Sequence, residues 1–160
     1  MGDEGIAVLD KVRQDHSPTD IRFVCEVCSE SQFDKVQDLA QVIQIGARNM
    51  QNFELLKYVS KNFDKDKHDF VLLKRGFANT NKEWISSAEY LMKGGVPKDK
   101  IVLCERGSRS LTSPTGVSLD FINALSAKAQ GFAVIIDPSH GAKDRKYVLP
   151  LAHAAMAMDF

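Results

Sequence analysis

The sequence predicts an α/β fold: a parallel sheet built from about five consecutive βα units, in one domain covering residues 1–160. Three observations carry that prediction. Five short runs rich in β-branched and aromatic residues recur along the chain, at 21–27, 41–48, 69–76, 100–107 and 132–140. All but the first are nearly continuous in apolar residues, so they read as strands covered on both faces rather than as strands with one wet face. Between the runs lie stretches whose apolar residues fall at helical spacing. Such strict alternation of strand and helix favours right-handed crossovers between parallel strands.

Each element has its own signal. A helical piece, GDEGIAVLDKVRQ, leads into the first strand, IRFVCEV. SQFDKVQDLA places Phe33, Val36 and Leu39 on one helical face, and NFELLKYVSKNF does the same with Phe53, Leu56 and Val59. TNKEWISSAEYLMKGG is the clearest helix. Thr80 and Glu83 have the spacing of a capping box, Trp84, Ala88 and Leu91 form the face, and Gly94–Gly95 provide the stop. SLDFINALSAKAQG repeats the scheme with Gly131 as its stop, and the chain ends within a last helix in KYVLPLAHAAMAMDF. Two architectures fit five such units: a flavodoxin-like sheet with a reversal in strand order, or a run of units from a (β/α)8 barrel.

Composition bounds the function. Lys plus Arg total 21 and Asp plus Glu total 21, for a net charge of zero, whereas nucleic-acid and anionic-membrane binders usually carry a basic excess. No apolar run approaches the roughly 18 residues of a membrane span, and the N-terminus lacks the basic-then-apolar order of a signal peptide. The three cysteines, Cys25, Cys28 and Cys104, fit a reducing compartment, so a cytoplasmic protein is expected. Cys25 and Cys28 form a C-x-x-C. Cys25 sits within an apolar run and no second cysteine pair or nearby histidine completes a zinc site, so the core reading outweighs the metal or redox reading.

The chemistry is expected where the runs end. In a parallel α/β fold the carboxyl ends of the strands share one side, and ligands bind there. The second run ends in Gly46-Ala47-Arg48-Asn49, the third in Lys74-Arg75-Gly76, the fourth in Glu105-Arg106-Gly107 and the fifth in Asp137-Pro138-Ser139-His140. Four successive strands thus deliver Arg48, Lys74, Arg106 and His140 to one rim, a pattern that builds an anion pocket. Arginine forks suit phosphate or carboxylate oxygens, and lysine supplies a point charge. Glu26 and Glu105 could anchor these cations, hold a water or be plain solvated ends. Arg75 and Arg109 read as surface residues, and His16, His68 and His153 as incidental. His140 could be a metal ligand, a general acid/base or a capping residue, and spacing alone does not favour the ligand role.

The strings IQIGARNMQNFELLK, LLKRGFANTNKEW, IVLCERGSR and VIIDPSH followed by LPLAHAA resemble 3-deoxy-D-arabino-heptulosonate-7-phosphate (DAHP) synthase. The similarity is to the branch of that family that also resembles 3-deoxy-D-manno-octulosonate-8-phosphate synthase. It covers nearly the whole chain, and GARNMQNF favours the heptulosonate enzyme. The resemblance implies a partial (β/α)8 TIM barrel, corresponding to family strands three to seven. It implies condensation of phosphoenolpyruvate with erythrose 4-phosphate, the first step toward the aromatic amino acids, in an enzyme that is a homo-oligomer when intact. It further implies a divalent metal ion of the Mn, Fe, Zn or Co class, acting as a Lewis acid on the aldehyde. Carried over by motif, Arg48, Arg106 and the Ala47 N–H hold the phosphoenolpyruvate phosphate, and Lys74 sits at its carboxylate. Glu26 lies beside the site, Lys74 and Glu105 are catalytic, and His140 is a metal ligand.

The family's Gly-Pro-Cys-Ser and Lys-Pro-Arg-Thr-Ser segments have no counterpart in this sequence, nor do its last Glu and Asp metal ligands. Three of four metal ligands are therefore absent from the 160 residues, which are expected to be a fragment inactive alone. Two alternatives stand beside that reading: a non-catalytic, degenerate partial barrel that keeps an anion site, and octulosonate-8-phosphate synthesis.

Overall fold

The computed structural model describes residues 2–16 and 21–160. Helix α1 (Asp3–Asp15) precedes strand β1 (Val24–Val27), and α2 (Glu30–Val36) leads to β2 (Val42–Ile45). A 3-10 turn at Ala47–Asn49 and helix α3 (Phe53–Lys61) lead to β3 (Phe70–Lys74). Helix α4 (Asn81–Lys93) and a second 3-10 turn precede β4 (Ile101–Glu105). A small hairpin, β5 (Ser108–Arg109) and β6 (Val117–Ser118), interrupts the rhythm before α5 (Phe121–Ala129) and β7 (Ala133–Ile136). Helices α6 (Pro138–Ala142) and α7 (Arg145–Met156) close the chain. Among the described residues no helix is long and apolar enough to cross a membrane.

The five main strands are all parallel and lie in sequence order, β1-β2-β3-β4-β7. Among the described residues there is no reversal point, so the strand order is that of a barrel segment and not of a flavodoxin-like sheet. The register shows the stagger a barrel requires. One cross-sheet row runs Glu26, Gln44, Leu72, Val102, Ala133, starting near the end of β1 and finishing at the beginning of β7.

Side chains alternate across the sheet, and the two faces differ. Cys25, Val27, Ile43, Ile45, Val71, Leu73, Ile101 and Leu103 face the helices in the main core with Phe33, Leu56, Trp84, Ala88 and Leu91. Trp84 is fully buried and satisfies its ring N–H on the Leu73 carbonyl at 3.3 Å. The other face carries a smaller cluster of Val42, Leu72 and Cys104, flanked by Phe70 and Val102. There burial pushes the Cys104 thiol up to about 12.

The Thr80–Glu83 capping box forms as expected, with Glu83 N–H on Thr80 Oγ1 at 3.3 Å and Thr80 N–H on Glu83 Oε2 at 2.8 Å. Three details differ from the sequence expectation. Helix α2 stops at Val36, so Leu39 lies in the turn beyond it. Phe53 opens α3 and packs half-exposed on Tyr90, ring centroids 4.6 Å apart, rather than entering the core. His68 is not a loose loop residue but is 1% exposed. Its Nδ1 accepts from Asp64 N–H at 3.1 Å and its Nε2 donates to the Gln37 carbonyl at 2.9 Å, which ties two connections together.

Candidate functional site

At the carboxyl ends of the strands lies a cavity of about 210 Å³, lined by Glu26, Gln44, Gly46, Ala47, Arg48, Lys74, Phe77, Arg106, His140 and Lys143. The stagger brings these positions together. Glu26 and Gln44 are paired in register on β1 and β2, Lys74 ends β3, Arg106 follows β4, and His140 lies on α6 just past β7. The four rim cations read from the strand ends therefore share one cavity. Lys143, the left-handed residue that ends α6 at φ 57°, adds a fifth basic side chain.

Arg106 is the least accommodated of them. It is 2% exposed, and its Nε is buried with no hydrogen-bond partner among the described residues. Its guanidinium stacks over the Phe77 ring at 4.4 Å, and one Nη donates to the Gly107 carbonyl at 3.2 Å. Burial lowers its pKa, which reports how poorly the charge is solvated. A buried cation with an open donor is a costly arrangement unless an anion completes it. Arg48 is exposed on the 3-10 turn and pairs with no carboxylate among the described residues.

Lys74 is held differently. Its Nζ donates to Asp137 Oδ2 at 2.6 Å, and the same oxygen accepts from His140 Nδ1 at 2.7 Å. Asp137 Oδ1 accepts from the His140 N–H at 3.0 Å, capping α6. Burial by itself would raise the Asp137 carboxyl. The hydrogen bond and charge of Lys74 and the two bonds from His140 outweigh burial and hold it down at about 2. An ionised carboxylate can only accept, so Nδ1 carries the ring proton and a neutral His140 presents Nε2 as its lone-pair nitrogen.

Glu26 is exposed at the far wall. Its Oε2 accepts from Gln44 Nε2 at 3.2 Å, and its carboxylate lies over Gly46, in space that a Cβ there would contest. Glu105, expected to be catalytic, is not among the residues that line the cavity. Its side chain is fully buried, gripped through both oxygens by Arg75, and it also accepts from the Gly107 N–H at 2.7 Å. Arg75, read as a surface residue, is thus buried and fully engaged. Arg109 is exposed as expected, and so is Cys28, while Cys25 lies in the core.

Asp137, Lys143, Gln44 and Phe77 were not singled out from the sequence. Gln44 had a signal: it lies two residues before Gly46, so a period-two reading places both on the cavity face. Asp137 stood in the sequence only as part of the fifth run's end. Its bond to Lys74 joins residues 63 positions apart.

The balance of charge in the cavity suits an anion. Five basic side chains line the cavity with one carboxylate, Glu26, while Asp137 is already shared between two of them. His140 has the habit of a metal ligand, with one ring nitrogen fixed by a carboxylate. Among the described residues, however, no three His, Cys, Asp or Glu side chains come together to hold an ion.

Comparison with known proteins gives a consistent result. A family profile described as the DAHP synthetase I family matches residues 1–159. The phospho-2-dehydro-3-deoxyheptonate aldolase of Thermotoga maritima is 39% identical over 160 residues, covering 99% of this chain and 44% of that protein. The crystal structure of the Thermotoga maritima enzyme of that name superposes with a TM-score of 0.84 at 38% identity, over 96% of this chain and 44% of the other. A truncated form of 3-deoxy-D-arabino-heptulosonate 7-phosphate synthase from Thermotoga maritima gives 0.82 at 37% identity, over 95% of this chain and 55% of the other. The chain spans less than half the length of the curated relative it matches.

Proposed function

The chain belongs to the DAHP synthetase I family, and from that premise we propose that its cavity is the phosphoenolpyruvate site of a DAHP synthase. The observation that supports this best is Arg106, a buried guanidinium with an open donor in a cavity of cations. In this reading Arg106 and Arg48 bind the phosphate, the Ala47 N–H adds a donor, and Lys74, braced by Asp137, meets the carboxylate. Phe77 fixes the plane of the Arg106 guanidinium, and Glu26 bounds the cavity opposite. The second substrate is erythrose 4-phosphate. The 160 residues act as one partial-barrel domain within a soluble, cytoplasmic homo-oligomer that needs neither nucleic acid nor membrane.

The family generally depends on a metal ion. His140 is the one residue here proposed to ligate it, through Nε2. A lone imidazole does not make a site for a divalent ion, so the described residues do not fit the metal by themselves and no step is assigned to it. The same fact favours a second reading in which the chain alone binds the anion without turnover.

The test is calorimetric titration of phosphoenolpyruvate into the wild-type chain, Arg106→Ala and Arg109→Ala, with product formation from erythrose 4-phosphate assayed in parallel. Wild type and Arg109→Ala should bind alike. Arg106→Ala should bind about 10- to 150-fold more weakly, since a charge-assisted contact contributes roughly 1.5–3 kcal/mol. Equal binding by all three would remove the phosphate role of Arg106. Binding without product supports the second reading, and turnover by the unaided chain would overturn it.

A further inference from the structure

Arg106 owes its position to groups that never touch the cavity. Glu105 ends β4 and Arg75 follows β3, with side chains 0% and 2% exposed. Arg75 grips Glu105 through Nε and through Nη2, the latter at 2.9 Å from Oε1, and its Nη1 donates to the Asn79 carbonyl at 2.9 Å. Glu105 Oε1 then gathers two further loops, accepting from the Gly107 N–H at 2.7 Å and the Asp120 N–H at 3.4 Å. The Glu105 carbonyl accepts from the Asp137 N–H at 2.8 Å.

Both neighbours of Arg106 are therefore tied down. Gly107 is held at φ 86°, a conformation costly for other residues, and a Cβ there would meet Val117 and the Gly141 backbone. The guanidinium itself has little to steer it, since its Nε has no partner among the described residues. Its direction is set by the fixed peptide below and the Phe77 ring alongside.

We propose that Arg75 and Glu105 are positioning residues that pre-orient Arg106 toward its anion. The inference rests on the anion-binding reading of the cavity. It has a consequence that simple charge counting contradicts. Glu105 is an anion close to an anion site, so by Coulomb's law alone its neutralisation would tighten anion binding. Under the positioning role, Glu105→Gln weakens binding, because an amide offers one acceptor oxygen where Arg75, Gly107 and Asp120 now use two.

The experiment measures inorganic phosphate affinity for the wild-type chain, Glu105→Gln and Arg75→Lys at a temperature where circular dichroism shows each to be folded. Both variants should bind about three- to tenfold more weakly, the cost of immobilising one rotamer-rich side chain on binding. Affinity that is unchanged or tighter in Glu105→Gln would overturn the proposal. Loss of cooperative unfolding in both variants would also overturn it, since the pair would then hold the fold as a whole. The Arg106 Nε–H resonance, assigned by its absence in Arg106→Lys, gives a readout without ligand. It should be one sharp signal in wild type and exchange-broadened in both variants, and a sharp signal in the variants would overturn positioning. If wild type binds no phosphate, the anion-site reading fails, and this resonance still decides whether the pair orders Arg106.

Discussion

Arg75 and Arg106 each lie one residue past adjacent parallel strands, and each is 2% exposed. On the helix side of the sheet Arg75 finds a carboxylate and a carbonyl, and each of its three nitrogens has a partner. On the cavity side Arg106 finds an aromatic face and a single carbonyl, and its Nε remains open. The protein thus supplies the anion for one buried guanidinium and none, among the described residues, for the other. Burial of a cation is by itself neither a stability device nor a binding device. The partner list decides which it is.

The largest effect should come from breaking the closed pair. Glu105→Ala leaves Arg75 buried and uncompensated and should cost about 3–5 kcal/mol, read as a lower urea midpoint. Smaller than 1 kcal/mol would mean that Arg75 is not sealed from water. On the open side the sign should reverse. Arg106→Met should cost no stability, because it removes an unsatisfied buried charge. Phosphate at about 100 times the wild-type Kd should stabilise wild type by ~2.7 kcal/mol and the variant, binding about 10- to 150-fold more weakly, by only about 0.3–1.4 kcal/mol, which thermal unfolding with and without phosphate will show.

The pair between Lys74 and Asp137 stands between these extremes, with side chains 11% and 18% exposed. The folded carboxyl of Asp137 at about 2 lies below the ordinary value for an unfolded chain. The unfolded state therefore binds more protons as pH falls, so this contribution is complete above about pH 4 and is lost toward pH 2. It should amount to about 2 kcal/mol, and Asp137→Asn should flatten that part of the stability–pH curve. An unchanged acid limb in the variant would remove the ion pair from the account. The smallest effect belongs to exposed Arg109: Arg109→Ala should change stability by no more than about 0.5 kcal/mol, and a larger loss in the same urea series would mean that the hairpin is anchored through it.

The difference between the two arginines was not legible in the sequence. Arg48, Lys74, Arg106 and His140 could be placed on one rim because strand ends in a parallel fold face one way, and this needs only the apolar runs. The five strands and the capping box at Thr80 followed from local pattern for the same reason. Whether an arginine after a strand meets water, a carboxylate or a ligand depends on residues far away in the chain. Arg75 read as surface because Glu105 is 30 positions off, and Asp137 went unassigned because Lys74 is 63 positions off. The β5–β6 hairpin escaped because two residues per strand are too few to show a period. Phe53 shared the helical spacing of Leu56 and Val59, but its place at the first turn turned it toward Tyr90.

The strand order also imposes a schedule. The Arg75–Glu105 pair can close once β3 and β4 exist, whereas the Lys74–Asp137 bond must wait for the fifth main strand, 32 residues later (137 − 105). At ribosomal speeds of roughly 5–20 residues per second, that gap lasts about 2–6 s. An ion pair that closed as soon as β4 emerged would wait those seconds for the cavity to gain its last wall, whereas a domain that folds as one unit would close both pairs together.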